Sequence, residues 1–184
     1  LEASRTLTAL RVIAMVRSNQ LGDRLFEYPQ YYHSDGLFFS NDSTLQLRYT
    51  NDSIYYMLGV RPYAGEPQKE FLYNICHKET GRFTALHYYL ASLLLDKQVD
   101  EFAKEIPAVY EQGDTLPRYY REAMLLYLQN SSDTTRWEVQ DSGMIDRYHA
   151  FQKLHKDGQT GIQEKNRLRK DFGDTYWWYF YYQE

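Results

Sequence analysis

The stretch RFTALHYYLASLLLDK, residues 82–97, is the clearest structural signal in the chain. Apolar side chains recur in it at the spacing of one helix face, at Phe83, Leu86, Leu90, Leu93 and Leu94. Three of the last four residues before Asp96 are leucine, and a helix with so apolar a face is stable only when that face is covered by other elements. The stretch therefore predicts a core helix in a helical protein.

The next stretch, VDEFAKEIPAVYEQG, residues 99–113, predicts a second helix after a short polar break. A short connection makes consecutive helices antiparallel neighbours, so we expect a helical hairpin from Phe83 to Tyr110. Pro107 lacks a backbone N–H and should kink this second helix or end its regular part. We expect the hairpin to be the centre of stability.

The same helical spacing continues outward in both directions, from Leu7 to Leu154. Ser4 is a predicted N-cap, and Pro67 and Pro117 stand in predicted first turns. We expect an all-α fold of six to nine short helices in antiparallel hairpins, within a single domain over residues 1–184. A strand at 44–49 is the competing interpretation there, because Thr, Asn and Ser make that region a weak helix former.

An internal repeat supports the hairpin architecture. Residues 9–29, ALRVIAMVRSNQLGDRLFEYP, align with residues 85–107, ALHYYLASLLLDKQVDEFAKEIP, with a two-residue gap. Both begin with Ala-Leu in a helix, pass a Gln, and end a second amphipathic helix at a proline. This arrangement resembles a tetratricopeptide unit, although the Trp-Leu-Gly pattern of that repeat is absent. The sequence therefore predicts a degenerate, tetratricopeptide-like solenoid.

Composition narrows the classes of function. Of 184 residues, 43% are hydrophobic, which is typical of a globular protein. Aromatic residues make up 17% and include 19 Tyr, whose rings can be half buried while the hydroxyl reaches water. A net charge of −4 with scattered basic residues gives no footprint for nucleic acid. The single Cys, Cys76, excludes an internal disulfide framework. No apolar run is long enough to cross a membrane.

Catalytic and metal-binding motifs are missing from the sequence. The five His residues include no pair at the spacing of a helix-borne zinc site and no H-E-x-x-H. Phosphate-binding glycine loops and the G-x-S-x-G elbow are absent as well. Carboxylates in DTTRWEVQD and EPQKE could pair only through the fold. We therefore predict no enzyme, no metal and no cofactor.

Three strings together resemble a known family: LGDRLFEYPQ at 21–30, LPRYYREAMLLY at 116–127 and FGDTYWWYFYY at 172–182. The chain resembles the C-terminal soluble region of a Bacteroidetes family of unknown function, in which membrane-spanning helices precede a tetratricopeptide-like domain. The resemblance covers nearly all of the chain and brings no catalytic residues. It implies helical hairpins, and a membrane anchor ahead of Leu1 in a longer parent chain. The side of the membrane stays open, with a periplasmic placement favoured.

The predicted function is a non-catalytic interaction domain that binds a protein segment or the rest of its own parent chain. Tyr pairs recur along the chain, and adjacent helical residues point about 100° apart, so one Tyr of a pair can be buried while the other faces a groove. The alternative is a glycan-binding module whose exposed rings stack on sugars. The candidate interaction residues are Tyr56, Tyr89, Tyr119, Trp137, Trp177 and Trp178.

The aromatic run Tyr176–Tyr182 is predicted to be a structural cap. A helical solenoid leaves an apolar face at its end, and we expect the run to cover it by packing on Tyr148, Phe151 and Leu154. Contact with a membrane or a partner, and stacking on sugars, are the alternatives. A basic run precedes it, at Lys165, Arg167, Arg169 and Lys170, which is either a solvated helix face or a contact beside a membrane.

Overall fold

The computed structural model describes residues 4–40, 49–78, 81–111, 113–131, 139–155 and 161–183, and these residues form an all-α structure. Two 3-10 helices, Leu25–Glu27 and His33–Leu37, join the α-helices. The α-helices are α1 Arg5–Arg17, α2 Leu21–Arg24, α3 Asn51–Leu58, α4 Gln68–His77, α5 Phe83–Leu95, α6 Val99–Val109, α7 Arg118–Asn130, α8 Ser142–Leu154, α9 Ile162–Phe172 and α10 Tyr176–Tyr182.

The predicted all-α class is confirmed, and no strand occurs among the described residues. Their ten α-helices exceed the expected six to nine, because α2 is a single turn of four residues. The competing strand at 44–49 lies outside the described residues except at Tyr49.

Local signals account for where the helices begin. The Ser4 side chain accepts a hydrogen bond from Leu7 N at 3.3 Å, which confirms it as the N-cap of α1. Pro67 and Pro117 are the N-cap residues of α4 and α7, one position ahead of the first turns predicted for them. Pro107 lies inside α6, which ends two residues later at Val109. The proline therefore stands close to the end of the helix, as expected from its missing N–H.

The chain divides into two compact units. The first comprises Leu1–Leu25 and Gln30–Gln98, and the second comprises Phe26–Pro29 and Val99–Glu184. Helix α5 of the predicted hairpin belongs to the first unit, and α6 belongs to the second.

Helix α5 is the centre of the first unit. It contacts α2, α3, α4 and the 3-10 helix His33–Leu37. Every residue from Tyr88 to Leu95 is buried, so the second half of the helix is covered on all sides. The core position predicted for Leu90 is confirmed.

The inward position expected for Phe83 is wrong, since its side chain is 61% exposed. Phe83 is the first residue of α5, where backbone contacts hold the helix end instead. Arg82 N donates to Leu58 O at 2.8 Å, and Thr84 Oγ1 donates to Met57 O at 2.8 Å.

The internal repeat is visible in the geometry of two turns. Asn19 follows α1 with φ 55°, and Lys97 follows α5 with φ 60°. In both turns the next residue donates its N–H to the carbonyl five positions back, Gln20 to Met15 at 2.7 Å and Gln98 to Leu93 at 2.8 Å. This is the Schellman arrangement, in which a left-handed residue closes the helix end. The left-handed residue and the closing proline are ten positions apart in both repeats, Asn19 to Pro29 and Lys97 to Pro107, so the two-residue gap in the aligned sequences falls before the turns.

The second unit is built from helices that pack on their neighbours in sequence. Helix α6 packs on α7, α7 on α8, α8 on α9 and α9 on α10. Helix α10 also contacts α7 and so closes the unit. The largest fully buried side chains of this unit are Phe102, Tyr119, Tyr120, Phe151, Tyr176, Trp177 and Tyr179.

Candidate functional site

Most of the predicted interaction residues lie inside the protein. Tyr56 is 76% exposed, as expected for a surface residue. The outward position expected for Tyr89 and Tyr119 is wrong, since both are buried, and the candidates Trp177 and Trp178 are buried as well. Trp137 lies outside the described residues.

The reason is that α5 and α7 are covered on more than one face. Tyr88 and Tyr89 are both buried, and so are Tyr119 and Tyr120. Adjacent side chains of a helix point about 100° apart, so one ring of a pair faces a groove only where that side of the helix is open to solvent. The sequence gives the angle between two side chains but not the number of neighbours around the helix.

The aromatic tail segment Tyr176–Tyr182 is α10, and it is a structural part of the second unit. The predicted packing is confirmed for two of the three expected partners: the Trp177 ring lies 4.7 Å from that of Tyr148 and 6.1 Å from that of Phe151. Leu154, the third, is exposed. In the tail segment only Phe180 and Tyr181 are half-buried, and the other five rings are buried.

A seven-residue helix is too short to form alone, and hydrogen bonds to its beginning stabilise it here. Thr175 Oγ1 is the N-cap acceptor for Trp178 N at 3.2 Å. Glu122 Oε2 accepts from Tyr176 N at 2.7 Å, and the Glu122 carbonyl accepts from Trp177 Nε1 at 2.8 Å. A carboxylate at a helix N-terminus also compensates the helix dipole.

A charged network fixes the turn before α10. Arg118 donates to Glu122 Oε1 at 3.0 Å and to Asp174 Oδ2 at 2.8 Å, while Arg147 donates to Asp174 Oδ1 at 2.7 Å. Burial raises the pKa of Glu122 to about 7, although Arg118 and the Tyr176 N–H oppose that rise. Partial burial acts in the same direction on Asp174, but hydrogen bonds from both arginines outweigh it and hold its pKa below the ordinary value.

The three strings that carry the family resemblance meet at this place. The Phe26 ring lies 5.1 Å from that of Tyr119, 5.1 Å from that of Tyr176 and 4.7 Å from that of Tyr179. Phe26 comes from residues 21–30, and it thereby joins the strings at 116–127 and 172–182. The resemblance therefore follows a packed cluster of the second unit rather than scattered surface positions.

A groove with a volume of about 360 Å³ opens beside this cluster. Its walls are the segment Phe26–Pro29, the last turn of α9, the turn before α10 and one side of α10. The groove residues are Phe26, Glu27, Tyr28, Pro29, Arg169, Lys170, Gly173, Asp174, Trp178, Tyr179 and Gln183. All of them belong to the second unit.

Gly173 makes the tight passage from α9 to α10 possible. A Cβ atom at this position would lie 2.4 Å from the Arg169 carbonyl oxygen, far inside van der Waals contact. The close approach brings Asp174 under the two arginines and aims α10 back at α7.

The groove combines aromatic rings with two cations. Phe26, Trp178 and Tyr179 are buried and fixed by their contacts, whereas Arg169 and Lys170 are exposed. The Arg169 guanidinium lies 5.7 Å from the centre of the Trp178 ring, within the range of a cation–π contact.

The first unit presents a different surface, with exposed rings near the start of α5. The Arg82 guanidinium lies 5.1 Å from the centre of the Tyr56 ring, and the Phe83 ring meets that of His87 edge-on at 4.8 Å. Tyr63 is exposed as well. Tyr56, Tyr63 and Phe83 are therefore solvent-exposed rings of the first unit.

Sequence reasoning missed the residues that build the site. Glu122 and Arg118 are an i, i+4 pair whose charges fit an exposed helix face, and nothing local marks Glu122 as buried. Gly-Asp-Thr at 173–175 is the one available signal, because Thr175 is a good N-cap residue ahead of an aromatic run.

Within the described residues, no group of three or more His, Cys, Asp or Glu side chains is placed to hold a metal ion. No helix in the described part of the chain is both long and apolar enough to cross a membrane.

Comparison with known proteins identifies a family. The family model described as "Family of unknown function (DUF6057)" matches residues 64–183, and the chain belongs to this family. No curated protein and no solved structure matches the chain. The match includes α7 and α10 and stops short of Phe26–Pro29.

Proposed function

We propose that this member of the DUF6057 family is a non-catalytic helical interaction domain that binds a protein segment in the groove of its second unit. The segment comes from a partner or from the rest of the parent chain. The observation that carries the proposal is a preformed concave site, about 360 Å³ in volume, whose lining includes aromatic rings fixed by their packing.

The size and rigidity of the groove suit part of a flexible segment. Binding pockets commonly begin at about 300 Å³, so the groove takes a few side chains rather than a folded domain. Its rings are held by packing and by Trp178 Nε1, which donates to the Lys165 carbonyl at 3.3 Å. A site that is already ordered loses little conformational entropy on binding, which leaves more of the contact energy for affinity.

The chemistry of the titratable groups favours binding over catalysis. A buried carboxylate with a raised pKa is a common mark of an active site. Glu122, however, is only 1% exposed, and both of its oxygens are occupied, one by Arg118 and one by Tyr176 N. A substrate therefore cannot exchange a proton with Glu122. Its hydrogen bonds indicate a structural role instead, because they support the beginning of α10.

Glycan binding is the second candidate function, and exposed tyrosines of the first unit favour it. Tyr56 and Tyr63 are 76% and 79% exposed and could stack on sugar rings. Trp177 is fully buried, so this ring serves packing instead. Calorimetric titration with oligosaccharides separates the candidates, because only glycan binding predicts heat that Tyr56→Ala abolishes.

The proposal about the parent protein and its location rests only on the family resemblance of the three sequence strings. We propose that it is a tetratricopeptide-like region of a Bacteroidetes parent protein that carries membrane-spanning helices ahead of Leu1, with a periplasmic placement favoured. The encoded sequence upstream of Leu1 tests this directly, and a parent chain without a hydrophobic span there overturns it.

Selection from a random peptide display library tests the proposed function. The whole chain is the bait, and we expect a family of related peptides to be enriched. Tyr28→Ala removes a half-buried ring from the groove wall and should weaken binding of these peptides about tenfold, which corresponds to about 1.4 kcal/mol. Tyr63→Ala is the matched control, an exposed tyrosine of the first unit that should leave binding unchanged. Absence of any enriched family, or enrichment insensitive to Tyr28→Ala, overturns the proposal.

A further inference from the structure

The charges around the groove point to a more specific occupant. We infer that the groove selects an acidic protein segment, one that places a carboxylate next to a large apolar side chain. This inference rests on the proposed function and adds the chemistry of the partner to it.

The acidic groove residue Asp174 is already engaged within the protein. Asp174 accepts hydrogen bonds from Arg118 at 2.8 Å and from Arg147 at 2.7 Å, so its charge is compensated by two cations. Glu27 also has an interaction partner in the chain. The Asp174 carboxylate is therefore not a free attractor for a basic ligand.

The basic groove residues are in the opposite situation. Among the described residues, neither Arg169 nor Lys170 has a carboxylate within ion-pair distance. They are adjacent in the last turn of α9, and Arg169 faces the Trp178 ring, which leaves its N–H groups available for an acceptor. The groove therefore carries two uncompensated positive charges at its edge.

Cations beside an aromatic lining define the order of groups in the ligand. A carboxylate that pairs with Arg169 or Lys170 places the neighbouring side chain in the groove, whose aromatic lining includes the half-buried ring of Tyr28. An arginine already stacked on a ring loses little freedom when it binds a carboxylate, and such charge-assisted hydrogen bonds are strong and directional. A segment with Asp or Glu next to Leu, Ile, Phe or Trp satisfies both parts of the groove.

A peptide fits these observations better than other anions. Nucleic acids are bound through many phosphate contacts, and the groove offers only two uncompensated cations on a chain whose net charge is −4. An inorganic phosphate would use the cations and leave the aromatic lining of the groove without an apolar partner. The acidic peptide uses both features.

Composition of the selected peptides gives the first test. We expect the enriched family to contain Asp or Glu next to a large apolar residue. The double variant Arg169→Gln/Lys170→Gln should weaken binding of the enriched peptide at least tenfold, because it removes both cations that can donate charged hydrogen bonds to the peptide carboxylate. The matched control Lys153→Gln/Arg167→Gln removes the same charge from residues outside the groove and should change affinity less than about twofold, the size of a screened long-range effect.

A charge exchange keeps the test independent of folding. Lys170 is exposed and its replacement touches no packing, so Lys170→Glu should retain the far-ultraviolet circular dichroism of the wild type. It should weaken the acidic peptide and strengthen the same peptide with its Asp and Glu changed to Lys. Inorganic phosphate and vesicles containing an anionic lipid serve as competitors. Displacement of the peptide by either one at concentrations matched in charge would assign the site to phosphate chemistry and overturn the inference.

The outcomes separate this inference from the proposed function. Enriched peptides that depend on Tyr28 but lack acidic residues, or that ignore both charge variants, overturn the acidic partner and leave the binding function standing. Selection that enriches no peptide family overturns both.

Discussion

Glu122 is a buried carboxylate whose two oxygens serve two different elements. Oε1 binds Arg118 within α7, and Oε2 accepts the first N–H of α10. The residue thus links α7 to the beginning of α10. Burial raises the pKa of the Glu122 carboxyl to about 7 from an ordinary value of 4.5. Its ionisation is therefore coupled to the stability of the second unit.

The first prediction concerns this coupling. Between pH 4.5 and about 7 the folded protein holds a proton that the unfolded chain has released, so the free energy of unfolding should fall as pH rises through this window. Glu122→Gln imitates the neutral carboxyl and removes that dependence. Relative to the wild type, the variant should gain on the order of 3 kcal/mol between pH 4.5 and 8.

Chemical denaturation at a series of pH values measures this difference. Glu101→Gln is the control, since it neutralises an exposed carboxylate of α6. Parallel stability curves for wild type and Glu122→Gln would contradict the assigned role of Glu122.

The second prediction concerns the left-handed residue that closes α5. Lys97 has φ 60°, a conformation that costs a residue with a Cβ roughly 1–2 kcal/mol and costs glycine nothing. Lys97→Gly should therefore be more stable than Lys97→Ala by about 1 kcal/mol, after the larger chain entropy of unfolded glycine is subtracted. The comparison with Ala removes any effect of the lysine side chain.

The equivalent residue of the repeat provides the contrast in thermal or chemical denaturation. Asn tolerates the left-handed region, so at Asn19 (φ 55°) the step from Asn to Gly should change stability by only a few tenths of a kcal/mol. If Lys97→Ala and Lys97→Gly had the same free energy of unfolding, the turn would have relaxed to a conformation that alanine adopts without strain.

At the scale of elements, α5 carries the first unit. The third prediction is that Leu90→Ala lowers the free energy of unfolding by about 2–5 kcal/mol, because the side chain is fully buried and the space it leaves cannot close. Phe83→Ala in the same helix should cost less than about 1 kcal/mol, because that ring is exposed. A loss below about 1 kcal/mol for Leu90→Ala in urea denaturation would place the core elsewhere.

Helix α10 plays the equivalent part in the second unit. The fourth prediction is that deletion of residues 176–184 sharply lowers the melting temperature and raises dye binding to exposed apolar surface, because α7, α8 and α9 lose their cover. Within α10, Trp177→Ala should cost about 3–5 kcal/mol and the half-buried Tyr181→Ala clearly less. An equally stable, monodisperse truncation would leave the tail segment free for a partner.

Helix boundaries were largely predictable at this scale, whereas helix partners were not. Ser4 caps α1, and prolines precede α4 and α7, because caps depend only on residues within one turn. Contacts of α10 with α7 join residues more than 50 positions apart, as the 54-residue span from Glu122 to Tyr176 shows. The helical periodicity of α7 or of α10 alone does not indicate that these two helices pack on each other.

For the whole molecule, the prediction of a single domain is a prediction about cooperativity. All three Trp residues lie between Val99 and Glu184, so intrinsic fluorescence follows the second unit, whereas far-ultraviolet circular dichroism follows all helices. The fifth prediction is that both signals give the same midpoint in urea, as one cooperative domain requires. Separate transitions would show two units that unfold independently, and Leu90→Ala would then move only the dichroism transition.

The sequence by itself determined the helical class, where several helices begin and end, and the presence of a packed aromatic tail. These follow from helical periodicity, from caps and prolines and from the need to cover seven adjacent rings, all of which are local properties of the chain. Only the tertiary structure decided which tyrosines are buried, that Phe26 joins α7 to α10, and that Glu122 supports the beginning of α10. Burial depends on how many distant segments surround a side chain. The same Tyr-Tyr pair is therefore half exposed in α3, where fewer elements meet, and fully enclosed in α5, where four elements converge.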